Sequence, residues 1–231
     1  MTKIYRCEQG SAEWYRLRMG IPTASMFHKI ITPGGKISEQ RHAYRYRLLA
    51  ERLLEESMDQ PLEVEWVQRG KELEPAAISN FQFQYDLELD RIGFITNDAG
   101  LVGCSPDALV KGRNEAVEVK CPAPWTQIGR LLDGIGTDYR PQVQGQLMVG
   151  QFDRCHFYSY SDRMPSLLVT TEPDLPYQKI MHRLILQFLE ELEGSMARAR
   201  TLGAYVVHDG YTTPHEESAP GVEPLTIIIP E

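Results

Sequence analysis

The chain has few of the residues that build soft metal centres, and they are badly spaced for it. Its four cysteines, Cys7, Cys104, Cys121 and Cys155, include no CxxC pair and no nearby CxxH. That argues against structural zinc, against an iron–sulfur cluster and, in a reducing compartment, against a disulfide framework, leaving free thiols. The six histidines (His28, His42, His156, His182, His208 and His215) show neither HxxxH nor HxH spacing, so they read as surface or core residues. No GxxxxGK[ST] loop is present, so any activity has to run without ATP. No apolar run of about 18 residues exists to span a membrane, and the opening MTKIYRCEQG lacks the apolar centre of a signal peptide. A cytoplasmic protein with no membrane partner is expected.

What is present suits a soluble globular protein. A length of 231 residues, 42% hydrophobic and 24% charged, fits one large domain with a real core. The net charge of −8 is unevenly spread: residues 1–50 carry nine Lys/Arg against three Asp/Glu, and residues 51–100 carry four against twelve. The basic residues Arg16, Arg18, Lys29, Lys36, Arg41, Arg45 and Arg47 form either a solvated helix face or a surface for a polyanion. Capping and periodicity predict helices at 11–19 (N-cap Ser11, stop Gly20), from Thr23 through Ile31, at 39–56 and at about 66–84, with Pro75 best placed in a first turn. The 39–56 helix shows an apolar stripe of Tyr44, Leu48, Leu49 and Leu53. Short strand-like runs at 91–96, 101–103, 108–110 and 116–120 read as an antiparallel meander. Helices at 124–133 and 139–149, strands at 155–160 and 166–171 and a long helix at 174–202 follow. The α/β fold class is therefore a mixed central sheet flanked by helices. A single domain is expected over 1–211, with 212–231 a Pro-rich extended tail whose LeuThrIleIleIle (225–229) suits pairing with a sheet edge.

Pro106-Asp107, then ten residues, then Glu118-Val119-Lys120 is a PD-x10-ExK pattern. Phosphodiester hydrolysis calls for a hard divalent cation to polarise phosphoryl oxygens and acidify water, and such a cation takes oxygen ligands. Asp107 and Glu118 would supply carboxylates, and the carbonyl of Val119 a third oxygen. Side chains alternate along a strand, so Glu118 and Lys120 share a face while Val119 points into the core. Lys120 can then sit beside the ion and stabilise charge growing on the phosphate. Taken alone the triplet is weak: a turn aspartate followed by a solvated Glu-x-Lys strand reads the same way. Two further features join it. Gly70-Lys71-Glu72-Leu73-Glu74 sets an acid on the helix ahead of the sheet, and Gln142 opens the helix after the ExK strand.

With these pieces in order, the chain resembles the phage lambda exonuclease family, the YqaJ-type viral recombinases of the PD-(D/E)xK nuclease superfamily, from about Trp14 to Arg200. The resemblance is carried by TrpTyrArgLeuArgMetGlyIleProThrAlaSer (14–25), GlyLysGluLeuGlu (70–74), CysSerProAspAlaLeu (104–109), GluValLysCysPro (118–122) and GlnValGlnGlyGln (142–146). It implies a restriction-endonuclease-like core, with Asp107 and Glu118 as metal ligands, Lys120 as the catalytic lysine and Glu74 and Gln142 as accessory residues. It also implies that Arg18 and Ser25 bind a terminal 5′-phosphate. The activity implied is Mg²⁺-dependent 5′→3′ hydrolysis of double-stranded DNA ends to mononucleotides, leaving 3′ single-stranded overhangs, with Mn²⁺ as a substitute ion. A homotrimeric ring and a single-strand annealing protein as partner come with it. Two departures are visible: the stretch after about Gly203 has no family counterpart, and Val67 stands where the family carries a larger apolar wedge residue. A restriction-type endonuclease shares the same triad, and a catalytically dead DNA-binding module is the alternative from another class, although Asp107, Glu118 and Lys120 are all intact.

Overall fold

A computed structural model of the chain describes residues 2–59 and 65–203, with backbone alone for 65–67. The expected tail at 212–231, the domain boundary at 211 and the side chain of Val67 therefore lie outside the described residues.

A five-stranded mixed sheet runs in the order β2 (Leu89–Asp90), β5 (Ala108–Val110), β6 (Glu115–Lys120), β7 (Arg154–Ser159) and β8 (Leu167–Thr171). Only β6 and β7 pair in parallel, in register from Glu115↔Arg154 to Lys120↔Ser159. Parallel neighbours need a crossover, and α4 (Pro124–Asp133) with α5 (Arg140–Gly150) provides it. The parity of β6 sorts its side chains. Val117 and Val119 pack with Ala77, Ile78 and Phe81 of α3 (Glu65–Tyr85), whereas Ala116 joins the larger core beneath α5, α2 (Arg41–Leu54) and α6 (Leu175–Thr201). Glu118 and Lys120 share the parity of Ala116 and so face α5.

A smaller antiparallel sheet of β1 (Lys3–Tyr5), β3 (Phe94–Thr96) and β4 (Gly103–Cys104) stands beside the first. The expected meander is therefore divided between two sheets, and β1 was not expected at all. The break falls where Pro106 has no N–H to extend a ladder. Beyond it, Asp107 N–H donates to Val117 O at 3.0 Å and the chain enters β5 in the other sheet.

Three helices differ from expectation. Residues Ala24–Lys29 form a six-residue 3-10 helix after α1 (Ala12–Arg18), whose Ser11 side chain caps it by accepting from Trp14 N–H. Pro75 lies ten residues into α3, not in its first turn. Lys71, whose carbonyl Pro75 cannot meet, is exposed, so solvent is at hand for the group the proline leaves unpaired. On α2 the buried positions are Arg41, Tyr44, Leu48 and Glu51, so two charged residues sit on the inward stripe and Leu49 and Leu53 are only half-buried. Close packing of α5 on the 3-10 helix depends on Gly145, where a Cβ would lie 2.5 Å from the Phe27 ring.

Candidate active site

The ends of β5 and β6 carry the acidic residues, and α5 closes over them. Asp107 precedes β5, and its Oδ2 accepts the Val119 N–H at 2.6 Å, which clamps the carboxylate to the backbone of β6. Glu118 is only 2% exposed. A buried carboxylate needs donors, and it has three: Gln142 Nε2 at 2.6 Å and Lys120 Nζ on Oε1, and Gln146 Nε2 at 2.5 Å on Oε2. Gln142 and Gln146 meet the same group because they are four apart on α5. Sequence reasoning singled out Gln142 and passed over Gln146, although that spacing was the available signal. The Cys155 thiol donates to Gln146 Oε1 at 3.3 Å, which fixes the direction of the amide.

Electrostatics separate the roles. Burial, then the neighbouring Glu118 charge, hold the Asp107 carboxyl well above its ordinary range despite Lys120 and the Val119 N–H. Burial pulls Lys120 down, but Glu118 and Asp107 outweigh it and raise the ammonium above its ordinary value. Lys120 is thus a fixed cation and donor, not a base at neutral pH. Burial and the charges of Glu74 and Asp107 push the Cys121 thiol up to about 12, and burial raises Cys104 and Cys155 as well, so these thiols stay protonated. Two carboxylates against one ammonium leave the centre short of positive charge. Its donors are oxygens, which fits a hard divalent cation. Among the described residues, no group of three or more His, Cys, Asp or Glu gathers to hold a metal by side chains alone. Glu74 is turned to Arg91 in an ion pair, and reaches the centre only as a charge that helps raise Asp107.

Among the described residues no hydrogen bond or ion pair joins Arg18 or Ser25 to Asp107, Glu118 or Lys120, although Arg18 reaches Ser105, two residues before Asp107. Arg18 is 9% exposed, stacked over Trp14 with its guanidinium carbon 4.1 Å from the ring centroid. Its Nη1 donates to Ser105 Oγ at 3.4 Å, and its Nη2 lies 3.5 Å from Asp59 Oδ2. The Ser25 hydroxyl meets Thr23 Oγ1 at 3.3 Å, and no hydrogen bond joins it to Arg18 among the described residues. Of the other basic residues singled out in the N-terminal stretch, Arg41, Arg45 and Arg47 are paired internally, whereas Arg16, Lys29 and Lys36 form no ion pair among the described residues. Arg41 and Arg45 both reach Glu191 of α6, at 3.1 and 2.8 Å, and Arg47 reaches Glu51 and Asp59.

Comparison with known proteins gives the family and the fold. The YqaJ-like viral recombinase domain family matches residues 13–153, more than half of the chain. An alkaline exonuclease (LHK-Exo) from Laribacter hongkongensis is similar in structure, with a TM-score of 0.74 and 28% identity, over 84% of this chain and 98% of that one. The same figures hold for its complex with dAMP. A phage related exonuclease from Haemophilus somnus 129PT, 15% identical with a TM-score of 0.60 over 80% of this chain and 98% of that one, shares the fold. No curated protein matches the chain in sequence.

Proposed function

The chain belongs to the YqaJ-like viral recombinase family, and from that premise we propose that it is a Mg²⁺-dependent 5′→3′ exonuclease of double-stranded DNA. It removes mononucleotides from the 5′ strand and leaves 3′ single-stranded overhangs. The observation that carries the reading is the meeting of Asp107, Glu118 and Lys120 at the ends of β5 and β6 under Gln142 of α5. The dAMP bound by the Laribacter enzyme, a deoxynucleoside monophosphate, supports single nucleotides as product.

Asp107, Glu118 and the Val119 carbonyl would hold Mg²⁺, or Mn²⁺ in its place. When bound, such an ion polarises a phosphoryl oxygen and lowers the pKa of a water beside it. Lys120, kept cationic by its neighbours, stabilises negative charge as it develops on the attacked phosphate. Gln142 orients Glu118 and can donate to the same phosphate, and Glu74 adds negative charge next to Asp107. Arg18 and Ser25 receive the terminal 5′-phosphate and so set the direction of digestion. A homotrimer that encloses DNA, with a single-strand annealing protein taking over the overhang, completes the proposed setting in the cytoplasm. Support for assembly comes from α4, which turns Ile128 (50% exposed) and Leu132 (77% exposed) outward.

The test is digestion of linear duplexes labelled at either end, with and without Mg²⁺, beside a covalently closed circle. Mg²⁺-dependent release of 5′-terminal mononucleotides with the circle intact is expected. Cleavage of the circle would replace this reading with an endonuclease, and no cleavage of any substrate with Mg²⁺ or Mn²⁺ would remove it.

A further inference from the structure

Arg18 is a buried cation whose needs are poorly met. A guanidinium offers five N–H donors, yet here one long hydrogen bond to Ser105 and a 3.5 Å approach to Asp59 are its polar contacts, and its Nε has no partner among the described residues. Burial therefore lowers its pKa, with the nearby Asp59 charge opposing the shift. It borders a small cavity that Thr23, Arg47, Glu51 and Asp59 also line. A second guanidinium, Arg47, thus faces the same space, and the charge of Lys29 is felt there too, since Arg47 and Asp59 both perturb it.

The two acids in this cavity are not equivalent. Glu51 is tied into the fold: its Oε2 accepts Gly20 N–H at 2.8 Å, its Oε1 accepts Met58 N–H at 3.1 Å, and its side chain is 5% exposed. Among the described residues Asp59 accepts no backbone N–H; it is 30% exposed and places one oxygen on each arginine. An anion held, among the described residues, by two cations and lining a cavity beside an unused donor is one that a better anion can displace.

We propose that Asp59 is a built-in surrogate for the terminal 5′-phosphate, bridging Arg18 and Arg47 until a phosphorylated DNA end takes its place, and that Arg47 is the second phosphate-binding arginine. The proposal rests on the 5′-phosphate reading of Arg18 given above. A phosphate monoester carries nearly two negative charges and three strong acceptor oxygens, against one charge and two oxygens for Asp59. It therefore brings more acceptors to the unused donors of the two guanidinium groups than the carboxylate does. A 5′-hydroxyl end has no charge with which to displace Asp59. The internal ion pair would thus act as a threshold, admitting a monoester and refusing an uncharged end.

The experiment measures binding of short duplexes bearing 5′-phosphate or 5′-hydroxyl ends by fluorescence anisotropy, in EDTA to prevent cutting. Asp59→Asn, which keeps the shape and removes the charge, is expected to tighten binding of the phosphorylated duplex about three- to tenfold. The hydroxyl duplex is expected to change by less than about twofold, because a general gain in positive charge would act on both ends alike. Arg47→Gln is expected to weaken the phosphorylated duplex alone, and thermal melts with inorganic phosphate give a second readout: Asp59→Asn is stabilised more than wild type, and Arg47→Gln less. If wild type binds both ends equally, the 5′-phosphate reading falls and this proposal with it. If wild type prefers the phosphate but Asp59→Asn leaves the preference and the phosphate-dependent melt unchanged, the surrogate alone is overturned.

Discussion

Replacing Gln146 by leucine tests whether the carboxylate of Glu118 is held ready or merely present. Gln146 is 1% exposed and spends its amide on two buried groups, donating to Glu118 Oε2 at 2.5 Å and accepting from the Cys155 thiol at 3.3 Å. Leucine fills nearly the same volume, so packing loss is small. The hydrogen bond to the carboxylate is the main casualty; a bond to a charged group contributes about 1.5–3 kcal/mol, and the thiol bond adds little. For a chain of this size about 2–4 °C of melting temperature follows each kcal/mol, giving an expected fall of about 3–12 °C. The protein stays folded because Gln142 and Lys120 still hold the other oxygen. Function is expected to suffer more, since residues that orient a metal ligand typically cost about 10–100-fold in metal affinity or activity when removed. The assay is Mn²⁺ binding by titration calorimetry beside the cleavage rate at rising Mg²⁺. A raised metal requirement with most of the maximal rate recovered at saturation is expected. Wild-type Mn²⁺ affinity and wild-type cleavage in Gln146→Leu would refute the claim that α5 organises this carboxylate.

Alanine at Asp107, Glu118 or Lys120 is expected to abolish cleavage while circular dichroism remains native, and full activity in any one would remove the mechanism. In chelator, Asp107→Asn is expected to melt higher than wild type, because the folded state holds this carboxyl above its ordinary range by burial and by Glu118. The sign follows: wild type loses stability relative to the variant as pH rises from the ordinary carboxylate range, and a variant that melts lower at neutral pH would contradict it. Glu191 is the opposite case, since burial pushes its carboxyl up but Arg41 and Arg45 outweigh it and hold it low. Its contribution is present at neutral pH and lost as pH falls below the ordinary carboxylate range; Glu191→Gln, which leaves the buried Arg41 short of charge, is expected to cost about 2–3 kcal/mol by urea denaturation. Light scattering is expected to give a trimer, and a stable monomer at micromolar concentration would remove the ring.

How much of this was legible differs by the kind of physics involved. Strand parity alone sets Glu118 and Lys120 on one face with Val119 in the core, so the arrangement of these side chains was readable from the sequence. The helices after β6 were bounded well because Pro124 and Pro141 open them and Gly134 follows the first. The split of the meander was not readable, because strand periodicity says nothing of which sheet a strand joins. Nor was the inward face of α4, where Gln127 and Arg130 are buried and Ile128 and Leu132 exposed. Apolar patterning would turn that helix the other way. It is held by polar contacts that appear only in three dimensions: Ser159 Oγ donates to Gln127 Oε1 at 2.6 Å, and Arg130 donates to Ser159 Oγ at 2.8 Å and to the Tyr139 hydroxyl at 2.6 Å.

The basic N-terminal stretch makes the same point about charge. Counting placed a surplus of positive residues at 1–50 and left open a solvated face or a surface for a polyanion. Folding spends much of that surplus, because Arg41 and Arg45 fasten α2 to α6 through Glu191, while Arg18 and Arg47 close on Asp59. Phosphate contacts set both the affinity of a DNA-binding protein and its steep loss with salt. With a net charge of −8 and these four arginines tied to acids, the N-terminal stretch keeps fewer cations for such contacts than its composition implies. Under the proposed function that scarcity has a use: each contact to the duplex has to break when the strand advances by one nucleotide, so a loosely held duplex advances at lower cost. Residence on DNA would then come from enclosure by an assembly, and direction from the one anion that the Arg18 cavity can take in exchange for Asp59.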